Sequence, residues 1–273
     1  SLLAQAFIHL FLLTLMTCVL PIAIPEGTTP PEQAGQALWQ IGVMAAYVGG
    51  PFFILAASAP LFQHWFSSTP HEDSQNPYFL YAVSNAGSML SLLSYPILIE
   101  PFLGVNLQTH AWFAGYAGLI TMTAVCAYSI RNFKKPEAAL SSTDFAPAIP
   151  FSSKVWWVEL SFIPSSLMLG VTTFITTDLV SAPFLWILPL AIYLATFIIA
   201  FARKPILGVY ACREITPYIL CLLILSFMIS SFVVLKGAMI GINLLAFFMC
   251  ALLCHSELAR LKPSAAQLTE YFL

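Results

Sequence analysis

The stretch AWFAGYAGLITMTAVCAYSI, Ala111 to Ile130, runs for twenty residues without a charge, and Arg131, Lys134 and Lys135 follow it at once. An α-helix rises about 1.5 Å per residue, so a run of this length reaches across a hydrocarbon core of about 30 Å. The basic cluster behind it marks the side on which the helix stops, because Lys and Arg are retained on the cytoplasmic face. Seven more runs of this kind flank it: Leu2 to Ile24, Leu38 to Phe62, Tyr78 to Ile99, Val155 to Ile175, Ala182 to Ala202, Ile215 to Leu235 and Ala238 to Cys254. A β-barrel would need segments of about ten residues alternating in polarity, whereas these runs are long and apolar on every face. The reading is an all-α fold, a polytopic transmembrane helical bundle of about eight spans.

Composition agrees. Of 273 residues 59% are hydrophobic and 8% charged, with a mean hydropathy of +0.87. A soluble domain carries about 25% charge, so this chain lacks the surface that keeps a folded protein in water. The net charge of −2 excludes the basic balance that nucleic-acid binding needs. Cys18, Cys126, Cys212, Cys221, Cys250 and Cys254 lie mostly inside apolar runs without CxxC spacing, and read as small buried residues.

Placing the first residue on the cytoplasmic side puts Arg131, Lys134, Lys135, Lys154, Arg203, Lys204, Arg213, Arg260 and Lys262 there too, and leaves Lys236 alone on the other side. Trp39, Trp112 and Trp186 then fall near outer helix ends and Trp65, Trp156 and Trp157 near inner ones, as interfacial rings should. The connection from Arg131 to Lys154, rich in Pro, Ser and Ala, divides the chain into a first membrane half (1–130), a central cytoplasmic loop (131–154) and a second half (155–273). Ser1 stands where an initiator Met would, and Ala265 to Leu273 starts a new apolar pattern, so a piece of a longer protein is expected.

Four stretches resemble the bacterial membrane proteins known as fused MFS/spermidine synthases. They are Pro51 to Pro60 running on to Gln63–Phe66; Asn76 to Ser88 with Tyr95-Pro96 and Glu100-Pro101; Gly170 to Asp178 with Leu185 to Leu190; and Cys254 to Arg260 with Leu268 to Glu270. The resemblance covers nearly the whole chain. It implies two helices before Leu2, another begun near Leu268, and an MFS-like two-half layout in the bacterial inner membrane. It also implies a spermidine-synthase-like soluble domain elsewhere, as part of the full chain or as a partner. No strand followed by a GxGxxG-type turn occurs here, and Gly49-Gly50-Pro51 lies inside a span, so no nucleotide cofactor and no aminopropyl transfer are assigned to these residues.

Each candidate site has two readings. Gly42, Gly49, Gly50, Pro51 and Pro60 in the second span suit either a broken transporter helix or a packing kink. Ser84, Ser88 and Ser91 recur at i, i+4 and i+7 in the third span beside Tyr81, Asn85 and Gly87. They form a polar wall with Asn85 bonding a substrate, or a close small-residue helix contact. Thr172, Thr173, Thr176, Thr177 and Asp178, with Glu100, suit an outward vestibule gathering cations such as polyamines. The simpler reading, and the preferred one, is that Asp178 and Ser181 cap the turn before Pro183 and that Glu100 is solvated. Glu159 between the tryptophans and the apolar run is a proton or cation site, or a carboxylate snorkelling toward Lys154. His255, Glu257 and Arg260 form a polar cluster at the cytoplasmic mouth, where Glu257 and Arg260 allow an ordinary i,i+3 ion pair. Cys250, Cys254 and His255 lack a fourth ligand, so no metal is expected.

The leading functional expectation is transport or binding of a small, polyamine-like cationic metabolite. The alternative is a membrane anchor or regulator of a synthase-like enzyme. No nucleophile with a base marks a catalytic site.

Overall fold

The computed structural model describes residues 2–23, 25, 27–32, 35–131, 148–179, 185–204, 206–229, 236–264, 267 and 270–271. Among them the chain is helical, without a strand. Seven helices are long and apolar enough to cross a membrane: α1 (Leu2–Val19), α2 (Gln36–Ser67), α3 (Phe79–Phe102), α4 (Val105–Ile130), α5 (Phe151–Asp178), α7 (Val209–Met228) and α8 (Gly237–Arg260). Between α5 and α7 stands the shorter α6 (Ile187–Phe201). The runs expected from sequence correspond one to one with these eight helices, and their ends differ for local reasons. The first run stops at Val19 because Leu20, which precedes Pro21, is extended at φ −109°, ψ 149°, the region a following proline favours. Val105–Ile130 begins six residues before Ala111, after an extended Gly104 whose carbonyl accepts from Gln108 N–H at 3.0 Å. Residues 180–184 and 230–235, which the sixth and seventh runs include, lie outside the described residues. So do 132–147 of the long connection, whose last residue, Lys154, belongs to the first turn of α5.

The second span is not interrupted. It stays helical from Gln36 to Ser67 and widens by one π-type turn at Ala45–Gly49. Proline at 51 has no N–H for the carbonyl one turn back and its ring presses on that carbonyl, so a wider turn relieves the crowding. Pro96 sits within a similar turn at Tyr95–Ile99. A third, Phe174–Leu179, follows Thr172 and Thr173, whose hydroxyls donate to Met168 and Leu169 carbonyls at 2.7 and 2.9 Å. Such bonds compete for carbonyls in the helix ladder.

The described helices form two compact units, residues 1–74 with 99–140 and residues 75–98 with 141–273. In unit 1 the start of α1 meets the ends of α2 and α4 in a cluster of Ala6, Trp65 and Ile130, backed by Leu61, Phe62 and Ala127. A Cβ at Gly50 would stand 3.0 Å from Met16 Sδ, so glycine permits the close approach of α1 and α2. His9 Nε2 lies 2.9 Å from Ser58 Oγ across the same pair, both buried.

Unit 2 contains α5 to α8 and most of α3, which packs against α6. The third span, assigned by chain order to the half 1–130, therefore packs with the helices of the second half. Its core joins Tyr78 and Ala82 to Trp157, Phe197, Phe201, Cys212, Leu252 and Leu258. Those positions are the starts of α3, α5 and α7 and the ends of α6 and α8. Helix directions within the unit therefore alternate, as the loop charges anticipate. Lipid is as apolar as leucine, so packing shape and interhelical hydrogen bonds hold these helices together rather than burial from water. Ser165 Oγ to Tyr193 Oη, 3.0 Å, ties α5 to α6, and Thr196 Oγ1 to His255 Nδ1, 2.9 Å, ties α6 to α8.

Candidate functional site

Unit 2 carries two concave regions that hold polar side chains, one on the flank of α3 and one at the basic end. On the flank, Ser84, Gly87, Ser88 and Ser91 of α3 face Leu190 and Leu194 of α6 across an open groove of about 770 Å³. Ser84 and Ser88 are exposed in the groove. Their neighbours on α3 are engaged elsewhere. Asn85, half-buried, donates its amide to the Tyr81 carbonyl at 2.8 Å, a bond inside its own helix. Tyr81 turns its ring into the α6 aromatics, edge-on to Phe197 at 5.2 Å and Phe201 at 5.3 Å. The structure thus brings the serines together as one wall and directs Tyr81 to the core.

Within unit 2 the acidic candidates do not converge. Glu159 and Asp178 are exposed on the same helix nineteen residues apart, about 28 Å along its axis at 1.5 Å per residue. Glu100 is exposed at the last turn of α3, and Thr173 is exposed with its hydroxyl donating to Leu169 O. Lys154, expected near Glu159, instead reaches Glu270 at 2.8 Å.

At the basic end, Glu257 is gripped from two helices. Arg260 Nε donates to its Oε2 at 2.7 Å, and Arg213 of α7 donates to its Oε1. The Glu257 carboxylate is 11% exposed and both guanidinium groups about half exposed. The spacing of Glu257 and Arg260 makes that pair visible in the sequence; Arg213, forty-four residues away, gave no signal beyond its charge. His255 is set apart from this cluster. It is fully buried, its ring stacked on Phe197 at 3.6 Å and edge-on to Tyr193 at 5.1 Å.

Beside the Glu257 cluster lies a cavity of about 270 Å³ between the start of α3, the α6–α7 loop and the end of α8. Arg203, Arg260 and Lys262 line it, together with Phe79, Gly208 and Ser256, and no carboxylate does. The Arg203 guanidinium lies 4.2 Å from the centre of the Phe79 ring. Lys262 donates to Asn76 Oδ1 at 2.9 Å and stands 5.2 Å from the Tyr78 ring centre. Burial pushes the Lys262 ammonium down from its usual range.

The segment after α8 is fastened next to this cavity. Tyr78 Oη donates to Pro263 O at 2.9 Å, Trp157 Nε1 to Leu261 O at 3.2 Å and Tyr271 Oη to Leu258 O at 2.8 Å. The Tyr271 ring is edge-on to Tyr78 and Trp157 at 5.5 and 4.9 Å. Burial raises both tyrosine hydroxyls well above their usual range. Sequence reasoning missed Tyr78, Trp157 and Tyr271 as a group because 193 residues separate the first from the last.

Apolar spans of this length, in units whose helices alternate in direction, define a multi-pass helical membrane protein in contact with lipid on its apolar faces. No family model, curated protein or solved structure matches the chain. Among the described residues no three His, Cys, Asp or Glu side chains gather as a metal-binding group; Cys250 and Cys254 are half-buried on α8.

Proposed function

We propose that the chain is the membrane part of a small-molecule transport or binding protein, MFS-like in layout, that takes its ligand on the serine face of α3. The observation that carries this reading is the open groove lined by Ser84, Gly87, Ser88 and Ser91. A row of hydroxyls exposed on a spanning helix is unfavourable toward lipid and belongs against a wet cavity or a bound polar group. A groove of this size falls within the range of about 300–1,000 Å³ that small-molecule sites occupy. The motif resemblance to fused MFS/spermidine synthases supports a polyamine as the first ligand to try. The loop charges support a bacterial inner-membrane setting with the first residue on the cytoplasmic side.

The test is thermal unfolding of the purified chain in detergent with putrescine, spermidine, S-adenosylmethionine derivatives and neutral solutes. A ligand that binds only the folded state raises Tm with its concentration relative to Kd. A saturable rise with amines that disappears in Ser84→Leu/Ser88→Leu supports the reading. A rise that survives the double variant moves the site away from α3, and no rise with any solute retires transport at this groove. A rise seen only when a synthase-like soluble domain is added would favour the anchor reading instead.

A further inference from the structure

We propose that the cavity at the basic end of unit 2 is a binding site for a phosphate group, carried either by an anionic lipid or by a small soluble phosphate ester. Basic loops alone are expected at this end of any span, since Lys and Arg set orientation wherever they are solvated. Here the cations do more than decorate a loop. Arg203, from the α6–α7 loop, and Arg260 and Lys262, at the end of α8 and just beyond it, line one concavity of about 270 Å³ that has no carboxylate in its wall. Lys262 is half-buried there, and its hydrogen-bond partner is a neutral amide.

Two further features point at an oxyanion. Ser256 lines the cavity, is 9% exposed, and its Oγ has no oxygen or nitrogen partner; its polar neighbour is the Cys212 thiol, a weak donor. A buried hydroxyl left in that state costs free energy unless a ligand completes it. Gly208 and Val209 also line the cavity, at the point where α7 begins. The first N–H groups of a helix have no partner within it, and its dipole favours negative charge there. Arg203, Lys262, the Arg260 nitrogens other than the Nε that serves Glu257, a hydroxyl donor and a helix N-terminus are the donor set that phosphate oxygens use. The Phe79 ring beside Arg203 adds an apolar wall suited to the carbon side of an ester. Basic pockets between spanning helices on the cytoplasmic side are where anionic headgroups bind.

The experiment measures Tm of the purified chain in neutral detergent at fixed ionic strength. The probes are short-chain phosphatidylglycerol, zwitterionic phosphatidylcholine of the same length, glycerol 3-phosphate and inorganic phosphate. We expect a saturable rise with at least one phosphate-bearing anion and none with phosphatidylcholine. Lys262→Gln should weaken the apparent affinity about tenfold. Ser256→Ala, which removes one hydroxyl and leaves every charge in place, should weaken it about threefold. A rise with phosphatidylglycerol alone assigns the site to lipid; a rise with glycerol 3-phosphate assigns it to a soluble ester. Absence of a rise with all the anions, an equal rise with phosphatidylcholine, or unchanged affinity in both variants overturns the proposal. Polyamines and the α3 serines play no part in this test, so its failure and that of the groove reading are separable.

Discussion

Unit 1 and unit 2 each join two helices by a buried histidine bonded to a hydroxyl. In unit 1, His9 of α1 meets Ser58 of α2 at 2.9 Å, and the serine hydroxyl also points at its own helix, 3.3 Å from Ile54 O. In unit 2, His255 of α8 meets Thr196 of α6 at 2.9 Å, and the threonine hydroxyl donates to Tyr193 O at 2.7 Å. With the Thr196 hydrogen on that carbonyl, the tautomer that completes the pair is the one in which His255 Nδ1 donates; Nε2 is buried without a partner. The ring is held by Phe197 and Tyr193 rather than by a second hydrogen bond. A histidine paired with a hydroxyl thus serves as a single clasp in one unit and as part of an aromatic stack in the other. The difference teaches that a membrane histidine is positioned by its neighbours' rings as much as by its own nitrogens.

Thr196→Val breaks this arrangement most. Valine keeps the shape and removes the acceptor, which leaves Nδ1–H of a fully buried ring unpaired, and destabilisation of about 1–2 kcal/mol is expected in SDS titrations of the mixed-micelle protein. A loss below a few tenths would mean that the ring finds another acceptor. Ser58→Ala sharpens the contrast from the other side. The serine's own-helix contact is long and its partner ring is less enclosed, so about 0.6 kcal/mol is expected, near the average for hydrogen bonds between membrane helices. A larger loss than for Thr196→Val would reverse the ranking. Double-mutant cycles complete the comparison: adding His255→Leu to Thr196→Val should recover part of the cost, with a coupling of about 0.5–1 kcal/mol, and the His9/Ser58 cycle should give less.

The fold was legible because lipid imposes a length rule that single apolar runs reveal directly. Val209–Met228 and Gly237–Arg260 follow from such runs without any knowledge of what they touch. Partner choice was not legible. The serine face of Phe79 to Ser94 offers a small-residue contact but does not name a partner, so nothing announces that this span packs on α6 within unit 2. Pro51 was visible in the second span as a break or a kink, but whether a proline splits a helix or widens one turn depends on what can shift around it. The site divides the same way. Glu257 and Arg260 share a helix face at a readable spacing, whereas Arg203, Arg260 and Lys262 meet only because two helix ends and a loop close around one cavity.

Asn85 is where that limit bears on function. Its residue type and depth in the third span single it out as a ligand-binding amide, since an amide in a membrane must find partners. In the structure its donor group has found one within α3, the Tyr81 carbonyl at 2.8 Å. A side chain satisfied by its own backbone contributes little to packing between helices. Asn85→Leu is therefore expected to change stability by less than about 0.5 kcal/mol, the smallest of these effects. The same variant separates two pictures of the groove. If the serines alone face the ligand, any stabilisation by bound amine should persist in Asn85→Leu and vanish in Ser84→Leu/Ser88→Leu. Loss of the shift in both would mean that the Asn85 amide leaves Tyr81 to meet the ligand, and the wall of the site would then extend about 100° further around α3 than the serines define.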